Sequence, residues 1–324
     1  MVSSINRSYE GKIKMAKRHV SENPERSEPR KSGGTQTPFL EPAQPNSNGS
    51  TVEQNELNAK LIKHYDGIFN EESVHAKLFE GSGYSNYGYW NKGTTCPREA
   101  SDNLVDKLLE KVPDKTGQVL DVACGAGGTT RRLAERFGAS NVTAINISSY
   151  QLERTAKAAP GVNTLLMSAT DLSFAPASFD AIVCVEAAFH FDTREQFFRQ
   201  AYRALKPGGH LVLSDVLIFA SDVLADSWVF PIPVANLVSA STYKDQLSLT
   251  GFEVATIESV RKPTWESFAK YFATQGVQEG RGVSADIAIR KKQVFAFIDA
   301  WDKIMQDYIL VSARKPKATP PKTR

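Results

Sequence analysis

The sequence predicts an α/β protein built on a doubly wound parallel sheet, and three observations carry that prediction. From residue 118 onward, segments of β-formers alternate with segments of helical period, the pattern of a parallel sheet with crossover helices. One such segment, "FDAIVCVEAAF", is apolar almost throughout, as a strand covered on both faces must be. And "QVLDVACGAGGTTRRLAERF", residues 118–137, joins a strand to a helix through a glycine-rich turn.

The elements follow in order. Residues 21–55 are rich in Pro, Ser, Gly, Asn and Glu and hold one apolar pair, Phe39–Leu40. That surface cannot offset chain entropy, so 1–55 reads as a disordered arm. "LNAKLIKHYDGIFNEESVHAKLFEG" reads as one or two amphipathic helices, with Leu57, Leu61, His64 and Ile68 near helical spacing. "GSGYSNYGYWNKG" is a Gly/aromatic loop. Pro97 opens the helix "PREASDNLVDKLLEKV", because a first-turn N–H has no intrahelical partner to lose. "QVLDVA" is the first strand and "TTRRLAERF" its helix. "NVTAIN" is the second strand, and Ser148 with Gln151 makes a capping box before "YQLERTAKAA". "NTLLMSA" and "FDAIVCVEAAF" are the third and fourth strands. Asp192 and Glu195 make a second capping box before "TREQFFRQAYRAL", which Lys206-Pro207-Gly208-Gly209 stops. "HLVLSDVL" is the fifth strand, followed by a long apolar insertion, "SDVLADSWVFPIPVANLVSA". Helix "TYKDQLSLT", strand "FEVATIESV", helical segments near 264–275 and 286–305, and a last strand, "YILVSAR", complete the chain.

Composition narrows the class. The 324 residues suffice for one large domain. Cys96, Cys124 and Cys184 show no CxxC spacing, which points to a reducing, cytoplasmic setting and no structural zinc. No apolar run is long enough to span a membrane, and the basic N-terminus lacks the apolar stretch of a signal peptide. Basic residues gather at the ends: residues 1–50 carry eight Lys/Arg against five Glu, and 314–324 carry five Lys/Arg. These read as solvated termini rather than a nucleic-acid surface. The expected organisation is the arm 1–55, a domain 56–315 with cap insertions near 218–242 and 262–305, and a basic tail 316–324.

A glycine turn after the first strand of such a sheet lies at its carboxyl edge, where ligands bind. Gly125, Gly127 and Gly128 leave the backbone bare there. The turn is not G-x-G-x-x-G, because Thr130 stands where the third glycine would be. Asp121, four residues before Gly125, would repel a pyrophosphate and suits a ligand bearing an ammonium or sulfonium. Both features oppose a nicotinamide dehydrogenase.

Over roughly 57–315 the motif set resembles the Rossmann-like, class I S-adenosylmethionine-dependent methyltransferases. "VLDVACGAGGTT" is similar to the family's first motif, "VTAINISSYQLE" to its second-strand motif, "LLMSATDLSF" to the adenine-side motif, "FDAIVCVEAAFHF" to the fourth-strand motif and "LKPGGHLVLSD" to the hairpin before strand five. The resemblance implies a seven-stranded sheet whose last strand is antiparallel. It implies that Asp121 takes the methionine ammonium, directly or through water, and that Gly125 and Gly127 pass under methionine and ribose. The ribose falls to Asn146, where the family usually has an acid, with Gln151 beside it. Ile147 would lie against the adenine, and Ser168 and Ala169 would meet its amine, where Asp is usual. Glu186, with Ala187 and Ala188, would line the reactive side. The loop "YSNYGYW" resembles the aromatic loop that small-molecule members place over the cofactor, so Tyr84, Tyr87, Tyr89 and Trp90 are candidates to face the sulfonium.

Methyl transfer from a sulfonium is an in-line displacement that needs alignment and exclusion of water. His190, just past the fourth strand, is placed to act as base, with Glu186 second. The "[DNS]-P-P-[FYW]" motif of amino-methylating nucleic-acid enzymes is replaced by "VEAAFHF", and no Pro-Cys pair is present. The cap segments carry Tyr87, Trp228, Phe230, Trp265 and Phe268 as an expected substrate pocket, and covered apolar pockets suit small ligands. The resemblance is closest to natural-product, sterol and tocopherol methyltransferases. The expected function is O- or C-methylation of a small, apolar secondary metabolite, without metal, nucleic acid or integral membrane contact, and with a homo-oligomer left open. The alternative is C-methylation of a prenyl diphosphate in terpenoid biosynthesis, with or without carbocation cyclisation, for which Lys92, Arg98, Arg261 and Lys262 are available cations. A non-catalytic partner protein of the same fold is a third reading.

Overall fold

The computed structural model describes residues 52–218, 232–278 and 298–317. The arm up to residue 51, most of the insertion after the fifth strand (with Trp228 and Phe230), residues 279–297 and the end of the basic tail lie outside the described residues.

Seven strands form one sheet: β1 (Val119–Val122), β2 (Val142–Asn146), β3 (Asn163–Leu166), β4 (Phe179–Val185), β5 (Leu205–Ile218), β6 (Glu253–Ser259) and β7 (Met305–Arg314). Their order is β3-β2-β1-β4-β5-β7-β6. The first five pair in parallel, and β7 inserts between β5 and β6 antiparallel to both. The order reverses at β1/β4, the position where a crevice opens at the carboxyl ends of a doubly wound sheet. Register sets Val122 level with Ile145 and Cys184. The residues that follow on each strand, Ala123, Asn146 and Val185, therefore reach one edge together.

Helices cover both faces: α1 (Val52–Ile68), α2 (Val74–Leu78), α3 (Pro97–Leu109), α4 (Gly128–Phe137), α5 (Ser149–Ala158), α6 (Arg194–Ala204), α7 (Ala240–Thr250) and α8 (Ser267–Gln278). Residues 298–304 are also helical. Alternate strand residues serve opposite cores, as the two-residue period of a strand requires. Val119, Ala181 and Val183 pack with α3 and α4, and Leu120, Val122, Ile182 and Cys184 pack with α6 and α7.

Several boundaries and caps differ from the sequence reading. β5 starts at Leu205, so Lys206-Pro207-Gly208-Gly209 lies inside the strand rather than before it, and β7 starts at Met305 rather than Tyr308. α1 starts at Val52 rather than beyond residue 55. α6 is capped by Thr193, whose hydroxyl accepts from Gln196 N, and not by Asp192. At α5 the Ser148 hydroxyl accepts from Gln151 N as expected, but the Gln151 side chain does not return to the Ser148 N–H. Asn146 takes that N–H instead, and the Gln151 amide is free to serve the sheet edge.

Candidate active site

The carboxyl ends of β1 to β4 open into a cavity of about 990 Å³, its mouth included. Beyond β1 the chain turns through Ala123 (φ 59°) and Gly125 (φ 58°), and both line the cavity. A Cβ on Gly125 would stand 3.0 Å from the Phe69 ring, so a side chain there would close the cavity floor. Gly127 is not on the wall. A Cβ at Gly127 would sit 2.8 Å from Thr155 Cα, so its bare backbone serves the packing of α4 on α5 rather than a ligand.

Asp121 also lies behind the wall. It is buried within the sheet, and its Oδ2 accepts a 2.6 Å hydrogen bond from the Thr130 hydroxyl, which ties β1 to the first turn of α4. Burial pushes its carboxyl up to about 7 against the pull of that donor. A direct contact from Asp121 to a cofactor ammonium is not what this placement offers.

Asn146, Ile147 and Gln151 at the end of β2 line the cavity, as do Met167, Ser168, Ala169 and Thr170 beyond β3. Asn146 Nδ2 donates to Gln151 Oε1 (3.0 Å), and Gln151 Nε2 donates to Asp66 of α1 (2.8 Å). The Ser168 and Thr170 hydroxyls share a 3.0 Å hydrogen bond, and Gln54 of α1 donates to Thr170.

β4 supplies the titratable side. Glu186 takes φ 50° as the strand ends, and its Oε2 accepts from Tyr87 N–H (2.9 Å) and the Tyr308 hydroxyl (2.8 Å). Burial pushes its carboxyl up to about 8, and these two donors oppose that rise. The 3₁₀ turn Ala188–His190 follows. Its backbone is held by buried Asp215, which accepts from Phe189 N–H, and by Asn236, which donates to the carbonyls of Phe189 (3.1 Å) and Phe191 (2.6 Å). Wholly buried Arg194 ties Asp215 and Asn236 together. On this support His190 reaches the cavity wall, where its Nε2 shares a 2.8 Å hydrogen bond with the Tyr65 hydroxyl. Burial, and then the nearby Glu186, hold the Tyr65 phenol far above its ordinary pKa, so it stays neutral.

The aromatic cap is placed differently from the sequence expectation. Tyr87, Trp265 and Phe268 are not on the wall. Tyr87 packs edge to face on the other two rings, 4.9 Å from Trp265 and 5.0 Å from Phe268, a favoured geometry for aromatic pairs. The cluster thus backs Glu186 instead of enclosing substrate. Tyr89 and Trp90 also miss the wall: Lys107 lies over the Tyr89 ring, and Trp90 donates to the Tyr87 carbonyl and packs on Tyr271. Among the described residues, the phenyl and phenol rings that line the cavity are those of Tyr65, Phe69, Tyr84 and Phe191.

The sequence places the N-terminal helices over the carboxyl edge, and the structure agrees, but the sequence does not single out which of their residues form the wall. Gln54, Asn58, Leu61, Ile62, Tyr65 and Phe69 line the cavity, and they recur at helical spacing on one face. Polar Gln54 and Asn58 interrupting that face were the available signal. None of the cations considered for a diphosphate, Lys92, Arg98, Arg261 and Lys262, lines the described wall. Arg261 pairs with Glu266 and Asp302, Arg98 pairs with Glu80, and the described wall holds neither Lys nor Arg.

The methyltransferase domain profile matches residues 120–213. Erythromycin 3''-O-methyltransferase of Saccharopolyspora erythraea is 30% identical over 75% of this chain and 87% of its own length. The chain belongs to the S-adenosylmethionine-dependent methyltransferases. A 27-O-demethylrifamycin SV methyltransferase of Amycolatopsis mediterranei is 29% identical over 71% of this chain and 89% of its own. The geranyl diphosphate C-methyltransferase of Streptomyces coelicolor A3(2) shares the fold, with a TM-score of 0.62 at 16% identity over 80% of this chain and 98% of that one. The methyltransferase is therefore an enzyme, and its cofactor is S-adenosylmethionine. The cavity suits that molecule: it combines a tight turn at 123–125, a bonded amide pair at Asn146 and Gln151, apolar Ile147 and Met167, and the Glu186 carboxyl. No described helix is long and apolar enough to cross a membrane.

Proposed function

We propose that the methyltransferase carries out O-methylation of a small, uncharged and largely apolar natural product. The acceptor would be a hydroxyl-bearing molecule of the kind its erythromycin and rifamycin relatives act on. The observation that carries this reading is the Tyr65–His190 hydrogen bond on the wall of a cavity without a described Lys or Arg. A diphosphate would need cations, and the described wall offers acids, Glu186 and Asp192, and neither Lys nor Arg, so the prenyl diphosphate alternative is the weaker one.

S-adenosylmethionine supplies an electrophilic methyl group when bound. The chain's own residues do the rest. Asn146 and Gln151 take the ribose, Ile147 lies against the adenine, and Ser168 and Ala169 meet its edge. Glu186 stands by the sulfonium. His190 takes the acceptor proton, and Tyr65 on its Nε2 carries that proton across. The phenol hands its own proton to His190 as it receives that of the acceptor. A base of this kind contributes about 10²–10⁴-fold.

The test is transfer of labelled methyl from S-adenosylmethionine to two panels, neutral hydroxylated natural products and prenyl diphosphates. Label on a hydroxyl oxygen of the first panel, lost in His190→Ala while S-adenosylhomocysteine still binds, is the expected result. Label on a carbon of the second panel would overturn it.

A further inference from the structure

Four side chains close a hydrogen-bonded ring at the end of β2. Asp66 Oδ1 accepts from Gln151 Nε2 (2.8 Å) and from the Ser148 hydroxyl (2.7 Å). Gln151 Oε1 accepts from Asn146 Nδ2 (3.0 Å), and Asn146 Oδ1 accepts from Ser148 N–H (2.9 Å). Asn146, Ser148 and Gln151 are buried, and Asn146 and Gln151 face the cavity. Asp66 does not line the cavity. It reaches the ring from α1, across the chain from the sheet.

The ring has a direction, and Asp66 sets it. An ionised carboxylate only accepts hydrogen bonds, whereas an amide presents a donor on one side and an acceptor on the other. The Gln151 amide must turn its NH₂ to Asp66 and its carbonyl to Asn146. Asn146 must then turn its NH₂ to Gln151 and its carbonyl to Ser148 N–H. One lone pair of Asn146 Oδ1 remains for a ligand, and its second N–H is shared with the Cys124 thiol beside it. We infer that Asp66 is a positioning residue for the cofactor ribose: its carboxylate fixes which way the Gln151 and Asn146 amides face, so α1 completes the cofactor site. The inference rests on the reading of Asn146 as the ribose contact.

A counterintuitive consequence follows. Placing an acid at position 146, where relatives of this class usually have one, harms this chain. A carboxylate at 146 meets the Gln151 carbonyl, and turning Gln151 over sets that carbonyl against Asp66. Either way two acceptors face each other at about 3 Å, where a hydrogen bond needs one donor. Changing Asp66 to Asn as well reverses the whole ring. The new amide donates to Gln151 Oε1 and to the Ser148 hydroxyl, Gln151 donates to the new carboxylate, and every contact is again donor to acceptor.

The experiment is calorimetric titration of S-adenosylhomocysteine into the full chain and into Asp66→Asn, Asn146→Asp, the double variant Asp66→Asn/Asn146→Asp, and Asn146→Ala, with thermal unfolding of each. Asp66→Asn alone keeps an acceptor in place and is expected to stay within about threefold of wild type. Asn146→Asp is expected to lose at least tenfold, and the double variant to recover most of that loss. A site that merely tolerates substitution poorly would give a double variant weaker than either single one, and that result would overturn the inference. So would Asn146→Asp binding as tightly as wild type. If Asn146→Ala leaves affinity untouched, the ribose reading itself falls, which the other variants would not reveal.

Discussion

The ends of β2 and β4 lie at one sheet edge and face one cavity, yet they are built from opposite chemistry. At β2 the wall side chains are neutral amides in a closed ring, held by one carboxylate behind them. At β4 the wall carries Glu186 and His190, and their support is a buried ion pair and a tyrosine hydroxyl. The first arrangement has no proton to give at neutral pH and suits holding. The second titrates and suits chemistry. The difference teaches that a single strand-edge cavity can separate binding from proton transfer by what each strand end is allowed to ionise.

The largest break in that comparison is His190→Ala. Turnover is expected to fall about 10²–10⁴-fold in a labelled-methyl assay, with S-adenosylhomocysteine affinity unchanged. A loss confined to affinity would erase the division of labour. The converse substitution, Asn146→Ala, is expected to weaken S-adenosylhomocysteine about tenfold, since about 1–3 kcal/mol is lost when buried partners are left unmet. Rate at saturating cofactor should then be nearly intact, and a large fall in kcat would move Asn146 into the chemical half.

The two ends were unequally legible in the sequence. The strands, their order of appearance and the glycine turn were readable because local pattern dictates them: apolar β-forming runs alternating with helical period, Pro97 at a helix start, and Lys206-Pro207-Gly208-Gly209 just past a helix end. Asn146, Gln151, Glu186 and His190 could be named because they sit at fixed offsets from strands, and all four line the cavity. Asp66 and Tyr65 were missed because their partners are 85 and 125 residues away in the chain, and no local pattern encodes such a meeting. Tyr87, Trp265 and Phe268 misled for a related reason. An aromatic residue signals burial, and nothing in its spacing says whether it is buried against a ligand or against another ring.

A smaller effect sharpens the comparison through pH. Glu186 is held at about 8 by burial, so at neutral pH its carboxyl is mostly protonated when no cation is near. A sulfonium beside it favours the charged form. Affinity for S-adenosylmethionine relative to S-adenosylhomocysteine is therefore expected to rise as pH climbs toward about 8 and to level off above it. The gain should be on the order of threefold to tenfold, equal to about 0.5–1 pKa unit of coupling. Asp121, pushed up to about 7, titrates in the same window behind the wall, so Glu186→Gln is the control. A pH dependence that survives that substitution belongs to Asp121 or to another group, and Glu186 would lose its place beside the sulfonium.

The smallest effect tests the support rather than the wall. Tyr308 donates to Glu186 Oε2 from within the buried aromatic cluster. Tyr308→Phe removes that hydroxyl and keeps the ring that packs near Tyr87. A donor to a carboxylate stabilises its charged form, so its loss raises the carboxyl's pKa further. A hydrogen bond to a charged group is worth about 1.5–3 kcal/mol, and one pKa unit about 1.4 kcal/mol. The pH at which the cofactor preference levels off should move upward by about 1–2 units, with little change in the preference itself. An unmoved profile would mean that Tyr308 only packs, and that the β4 carboxyl is tuned by burial and the Tyr87 amide alone.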